Sequence, residues 1–246
     1  MMTSIGLKRP FIALLLYLII SSLSYAGTTL TITSGRGEPF VNPENNGFYD
    51  LIVKNMFQSI NVKAKTVLLP SQRSLINANQ GVDDGNIARI KGLEKKFPNL
   101  IRVPEKIIDF DFVAFTKNNN LKVKSWDDLI DYNVSYINGW KFFEKKVVKY
   151  KSLVKTKNAK QLFELVKNNR VDVALYDLWS GLWWINKNNK NISYLKPPID
   201  SVKLYLYVNK KHKKLVPKLA AALEKMKKDG TYKKIYDRTL TKLLME

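Results

Sequence analysis

Hydrophobic and polar positions along this chain change period several times. Thr29-Leu30-Thr31-Ile32-Thr33 alternates with the period of a strand that has one buried face. After a break at Ser34-Gly35-Arg36-Gly37, the apolar positions from Phe48 to Phe57 recur at helical spacing, and Val62 to Leu69 reads as a second strand. Pro70 opens another helix, where a missing N–H costs least, and Gly81 stops it. A short, weakly apolar third strand follows over residues 84–88. Lys91 to Phe97 reads as a polar turn closed by Pro98, and Ile101 to Ile108 runs extended into the alternating strand Asp111 to Thr116. This strand–helix–strand order belongs to an α/β sheet with right-handed crossovers.

At Lys117-Asn118-Asn119-Asn120 the pattern breaks as a hinge would, and a fresh unit begins. Ser125-Trp126-Asp127-Asp128-Leu129 has the composition of a capped helix start, Asn133 to Ile137 is a strand, and Gly139 begins a helix expected to run through Val148. Lys151 to Lys155 is extended, Ala159 to Asn168 helical, Val171 to Tyr176 a buried strand, and Leu178 to Asn186 a helix dense in aromatics. Strands return at Ser193 to Leu195 and Val202 to Val208. Leu215 to Asp229, stopped at Gly230, and Tyr232 to Leu244 are the closing helices. A second unit inserted between two crossing strands predicts two lobes with a cleft between them: residues 27–117 with 204–246 in one, and residues 118–203 in the other.

The first 26 residues change the setting. Lys8 and Arg9 precede an apolar run from Phe11 to Ile20, then Ser24-Tyr25-Ala26, which is the pattern of a secretory signal peptide cleaved before Gly27. The run is short for a membrane-spanning helix. A periplasmic protein is therefore expected. The 246 residues carry a net charge of +21, and the basic positions are scattered, which favours a solvated surface over a nucleic-acid footprint. There is no Cys, so disulfides and thiolate chemistry are excluded. The single His212 sits in a Lys-rich run with no evident Ser or Asp partner, no metal-ligand cluster is apparent, and Ser34-Gly35-Arg36-Gly37 lacks the ending of a phosphate loop. No catalytic residue, metal or cofactor is expected.

The order of short motifs resembles the bacterial extracellular solute-binding protein family 3, the receptors for polar amino acids. It is carried by Pro39-Phe40 before Gly47-Phe48-Tyr49-Asp50-Leu51, Gly81-Val82-Asp83, Trp126-Asp127-Asp128-Leu129, Val134 to Gly139, Asn169-Arg170-Val171-Asp172 with Asp177, and Asp229-Gly230-Thr231-Tyr232. The resemblance implies the two-lobed type II periplasmic-binding-protein fold, with ligand trapped as the lobes close. It also implies a ligand carboxylate held by Arg89 and an ammonium held by Asp177. The backbone donors at Gly139 would assist at a helix N-terminus, although Trp140 and Lys141 stand where the family often has small hydroxyl residues. Trp140, Trp179, Tyr49 and Phe40 are the expected walls, and Arg73 is a further candidate ligand contact.

Each position has a plainer reading. Arg89 could pair with Asp83, Asp84 or Glu94; Asp177 could cap the helix after it; Trp179 could be core; and Arg73 could form a surface or interlobe ion pair. The expected protein is a monomeric receptor for a small, polar, amino-acid-like solute, serving ABC-type uptake through an inner-membrane permease or serving a sensor. The alternative is an exported enzyme on the same fold, a dehydratase or wall-acting enzyme, needing Glu38, Asp50 or Glu144 as a cleft acid.

Overall fold

The computed structural model describes residues 29–188 and 191–245; the expected signal sequence lies outside them. One nine-stranded sheet runs through the molecule in the order β2-β1-β3-β9-β4-β7-β5-β6, with β8 paired to β4. Its strands are β1 Leu30–Ser34, β2 Ala64–Leu68, β3 Gly85–Arg89, β4 Leu100–Thr116, β5 Asn133–Ile137, β6 Ser152–Thr156, β7 Val173–Asp177, β8 Ser193–Tyr194 and β9 Asp200–Asn209. The helices, numbered in order, are α1 Phe48–Gln58, α2 Ser71–Gln80, α3 Lys141–Lys146, α4 Ala159–Lys167, α5 Leu178–Asn188, α6 Val216–Lys228 and α7 Thr231–Thr239.

The sheet divides at its two long strands. In one lobe β1 pairs parallel with β2 and β3; in the other β5 pairs parallel with β6 and β7. Between them β4 and β9 run antiparallel, from Leu100 opposite Asn209 to Phe112 opposite Asp200. Phe112 also faces Asp177 of β7, so the crossing point touches both halves of the sheet. The apolar filling is continuous from one half to the other. Ile32, Phe48, Ile52, Val53, Met56 and Ile87 are buried in the first, and Phe115, Val134, Phe163, Val173 and Leu175 in the second.

Several boundaries differ from those expected. Residues 101–108 and 111–116 form one 17-residue strand, β4, because Pro104 falls where the pairing with β9 shifts register between Arg102 and Lys106 and needs no ladder N–H there. The segment after Trp126 is a 3-10 turn, Asp127–Asp131, with the Asp128 carboxylate accepting from the N–H groups of Lys124 and Ser125. The helix expected from Gly139 to Val148 is only the six-residue α3. The closing helix is broken into α7 and a 3-10 turn, Thr241–Leu244. Gly81 ends α2 as expected, at φ 79°, a left-handed conformation that costs glycine little. Among the described residues no helix is long and apolar enough to cross a membrane.

Candidate functional site

In both lobes the parallel strands point their carboxyl ends at the same space, which is where open α/β sheets place their ligands. β1 ends into Gly35 and Arg36, β2 leads to Ser71 at the start of α2, β3 ends at Arg89, and β5 leads to Gly139, Trp140 and Lys141. These residues, with Ile87, Ala88, Phe112 and Phe142, line a cavity of about 320 Å³ between the lobes. That volume sits at the low end of the range for small-molecule sites, roughly 300–1,000 Å³.

Arg89 reaches the cavity through a distortion of β3. Its pairing with β9 slips between Asn86 and Arg89, and Ala88 sits at φ 66°, a left-handed conformation that costs a residue with a Cβ about 1–2 kcal/mol. Such a bulge re-aims the side chain that follows it. The guanidinium then donates from Nε to Asn86 Oδ1, from one terminal nitrogen to Ser71 Oγ at 2.9 Å, and from the other to Ser71 O at 3.0 Å and Ser74 Oγ at 2.8 Å. Four of its five donors are held, all by neutral oxygens. The pairing with Asp83, Asp84 or Glu94 weighed above does not form: Asp84 instead accepts from Thr31 N and Lys211. Burial, and then the nearby Arg36, push the Arg89 pKa down to about 10.

Arg36, not among the expected site residues, is held the opposite way. One terminal nitrogen lies 3.3 Å from Asp177 Oδ2, and the guanidinium stacks over Phe110 at 4.2 Å and Trp140 at 5.1 Å. Asp177 is almost fully enclosed, with 1% of its side chain exposed against 26% for Arg36. Its other oxygen caps α5 by accepting from Ser180 N at 2.9 Å. Burial pushes its carboxyl pKa up, and Arg36 opposes that shift. The ion pair joins residues 141 apart in sequence and crosses from the end of β1 to the end of β7.

The aromatic walls are Phe112, Phe142 and Trp140. Phe142 stacks on Phe112 at 4.0 Å, and Trp140 packs on Tyr176 at 4.9 Å and parallel to Phe143 at 5.4 Å. Lys141 pairs with Glu144 at 2.7 Å. Gly35 sets how closely the first turn can approach: a Cβ there would fall 2.8 Å from the Ser71 Cα.

No protein-family model matches the chain. An uncharacterized protein of Shewanella oneidensis is 25% identical over 193 residues, 75% of this chain and 73% of that one. Among solved structures, the GluR0 ligand-binding core in complex with L-glutamate superposes with a TM-score of 0.74 at 12% identity, covering 87% of this chain and 99% of that one. An ancestral amino acid-binding protein, a precursor of cyclohexadienyl dehydratase, superposes with a TM-score of 0.66 at 20% identity, covering 86% and 95%. The chain has the two-lobed periplasmic-binding-protein fold.

Within that fold the expected site residues separate. Arg89, Gly139 and Trp140 line the cavity. Asp177 lies beneath it, already engaged by Arg36. Gly139 does not present a free helix N-terminus: α3 has only six residues, and the Gly139 N–H is directed at Glu144 Oε1 at 3.3 Å. Phe40 and Tyr49 are not walls. Both are fully buried and stacked on each other at 4.6 Å, because α1 packs its whole first turn into the lobe core. The Tyr49 hydroxyl is enclosed without a hydrogen-bond partner, and burial raises its pKa. Trp179 is core as well, edge-on to Tyr236 of α7 at 5.6 Å. Arg73 sits on the exposed face of α2, away from the cavity lining.

The three acids named for an enzyme are not in the cavity lining. Asp50 is knotted inside its lobe, accepting from Asn42 N, Gly47 N and Thr66 Oγ1; burial pushes its pKa up to about 6. Glu38 lines a different, smaller hollow beside Trp183 and Lys242. The Glu144 pKa is lowered, first by its hydrogen bond to Lys141, away from the value a general acid needs. His212 does find an acid: its Nε2 lies 2.7 Å from Asp84 Oδ1, just before the amino end of β3, and neither residue lines the cavity at that strand's carboxyl end.

Proposed function

We propose that this is an exported receptor that captures a small carboxylate-bearing solute between its lobes and hands it to an uptake permease or a sensor. One observation carries the reading: a half-buried guanidinium, Arg89, is aimed by a strand bulge into an interlobe cavity and is held there only by neutral oxygens. A partly desolvated cation without a carboxylate has its charge uncompensated and gains a charge-assisted partner once an anion arrives. Because the cavity takes residues from both lobes, a bound solute would touch both and stabilise the closed arrangement over an open one. The fold supports the receptor reading, and the placement of Glu38, Asp50 and Glu144 gives the enzymatic alternative no cleft acid.

The test is a thermal-shift screen of the purified protein against amino acids, small carboxylates and polyamines, repeated on Arg89→Ala. Binding to the native state alone raises the melting temperature by mass action. A carboxylate hit that disappears in the variant is the expected result. A carboxylate hit untouched by the substitution, or hits confined to polyamines, would overturn the reading.

A further inference from the structure

The charges around the cavity narrow the solute beyond "carboxylate". Three cationic side chains line it, Arg36, Arg89 and Lys141, and no Asp or Glu does. Two of the three are already balanced: Arg36 by Asp177, and Lys141 by Glu144. Only Arg89 faces the cavity with neutral partners alone. The cavity therefore presents one uncompensated positive charge. The rings of Phe112, Phe142 and Trp140, with Ile87 and Ala88, supply the apolar part of the same lining.

An α-amino acid would bring an ammonium as well as a carboxylate. The acid that could receive the ammonium, Asp177, is enclosed beneath Arg36, which is itself clamped between the Phe110 and Trp140 rings. An entering ammonium would meet Arg36 before it met the carboxylate, and like charges repel strongly where water is scarce.

We propose, resting on the receptor reading above, that the solute is a monoanionic carboxylic acid with a flat apolar body and no α-ammonium, of the arylalkanoate class. The carboxylate sits at Arg89 and the ring between Trp140 and the Phe112–Phe142 pair. Arg36 acts as the specificity-determining residue, excluding the zwitterion by occupying Asp177.

Isothermal titration of the purified protein with matched pairs tests this: 3-phenylpropanoate against L-phenylalanine, and 3-(indol-3-yl)propanoate against L-tryptophan. The members of each pair differ only by the ammonium. The expected result is at least tenfold tighter binding of the deaminated acid in one pair or both, with that preference reversed or erased in Arg36→Met, which uncovers Asp177. Equal or tighter binding of the amino acids by the wild-type protein would overturn the proposal while leaving the receptor reading intact. If none of the four binds but the thermal-shift panel finds another carboxylate that depends on Arg89, the solute class is likewise wrong and the receptor reading stands. If that panel is empty too, both fall. A wild-type preference retained undiminished in Arg36→Met would remove Arg36 from its assigned role; the wild-type comparison decides the class even if that variant does not fold.

Discussion

Two guanidiniums border one cleft and are held in contrasting ways. Arg36 spends its charge on a buried carboxylate from the other lobe, and its plane is sandwiched by aromatic rings. Arg89 is fixed as firmly, but by an amide oxygen, two hydroxyls and a main-chain carbonyl, none of which cancels its charge. The first arrangement is balanced in charge; the second keeps its positive charge uncompensated. The difference teaches that two arginines bordering one cleft can differ in whether their charge is already balanced, and that the partners of each side chain, not its position, decide this.

Substitutions can pull the two apart. The largest expected effect on stability comes from Arg36→Ala, which leaves Asp177 enclosed and unpaired. Breaking a buried pair this way costs about 3 kcal/mol, read as a lower midpoint in urea. Arg89→Ala removes a half-buried, uncompensated cation along with four charge-assisted hydrogen bonds to neutral oxygens, contributions of opposite sign, so its midpoint should move by less than about 1 kcal/mol, in either direction. Second in size to Arg36→Ala is Gly35→Ala, whose methyl would overlap the Ser71 backbone: overpacking of this kind costs about 1–3 kcal/mol, and because Ser71 holds Arg89, solute affinity should fall with stability. Trp140→Ala should weaken solute binding by about tenfold or less through the lost ring contact, measured by titration.

A further expected effect is on pH dependence and concerns a carboxylate outside the cleft. The folded-state pKa of Asp50, about 6, lies above its ordinary value of 3.8. Between those values the folded protein keeps the proton that the unfolded chain has lost, so stability falls as pH rises from about 4 to about 6. Asp50→Asn should flatten that fall in a series of urea melts across the interval, while Arg36 and Arg89 variants, measured at fixed pH, should differ from wild type as described.

The fold was legible because its signals are local. Period-two alternation marks Leu30–Ser34 and Asn133–Ile137, Gly81 and Gly230 stop the helices expected to end there, and a second α/β unit interrupts the first. The site was legible only in part. Arg89, Gly139 and Trp140, singled out through the resemblance, do come together around one cavity. Arg36 was missed: its loop was weighed only as a phosphate-binding turn, while its partner stands 141 residues away. Its place directly after the carboxyl end of β1 was the available signal. His212 illustrates the same limit, since Asp84 comes to it from across 128 residues. Phe40 and Tyr49 failed differently. Aromatics beside a cleft motif read equally well as wall or core, and the choice was made by α1, which buries its entire first turn.

The measurement that bears most directly on this account is a paired titration and urea melt of wild type and Arg89→Ala, using 3-phenylpropanoate at neutral pH. Truncating a desolvated charge partner costs about 2–5 kcal/mol of binding, so the account predicts an affinity loss of about 100-fold with the melting midpoint nearly unchanged. A variant that binds as well as wild type, or one that loses binding only because it no longer folds, would contradict the central claim that Arg89 is a preformed cation awaiting its anion.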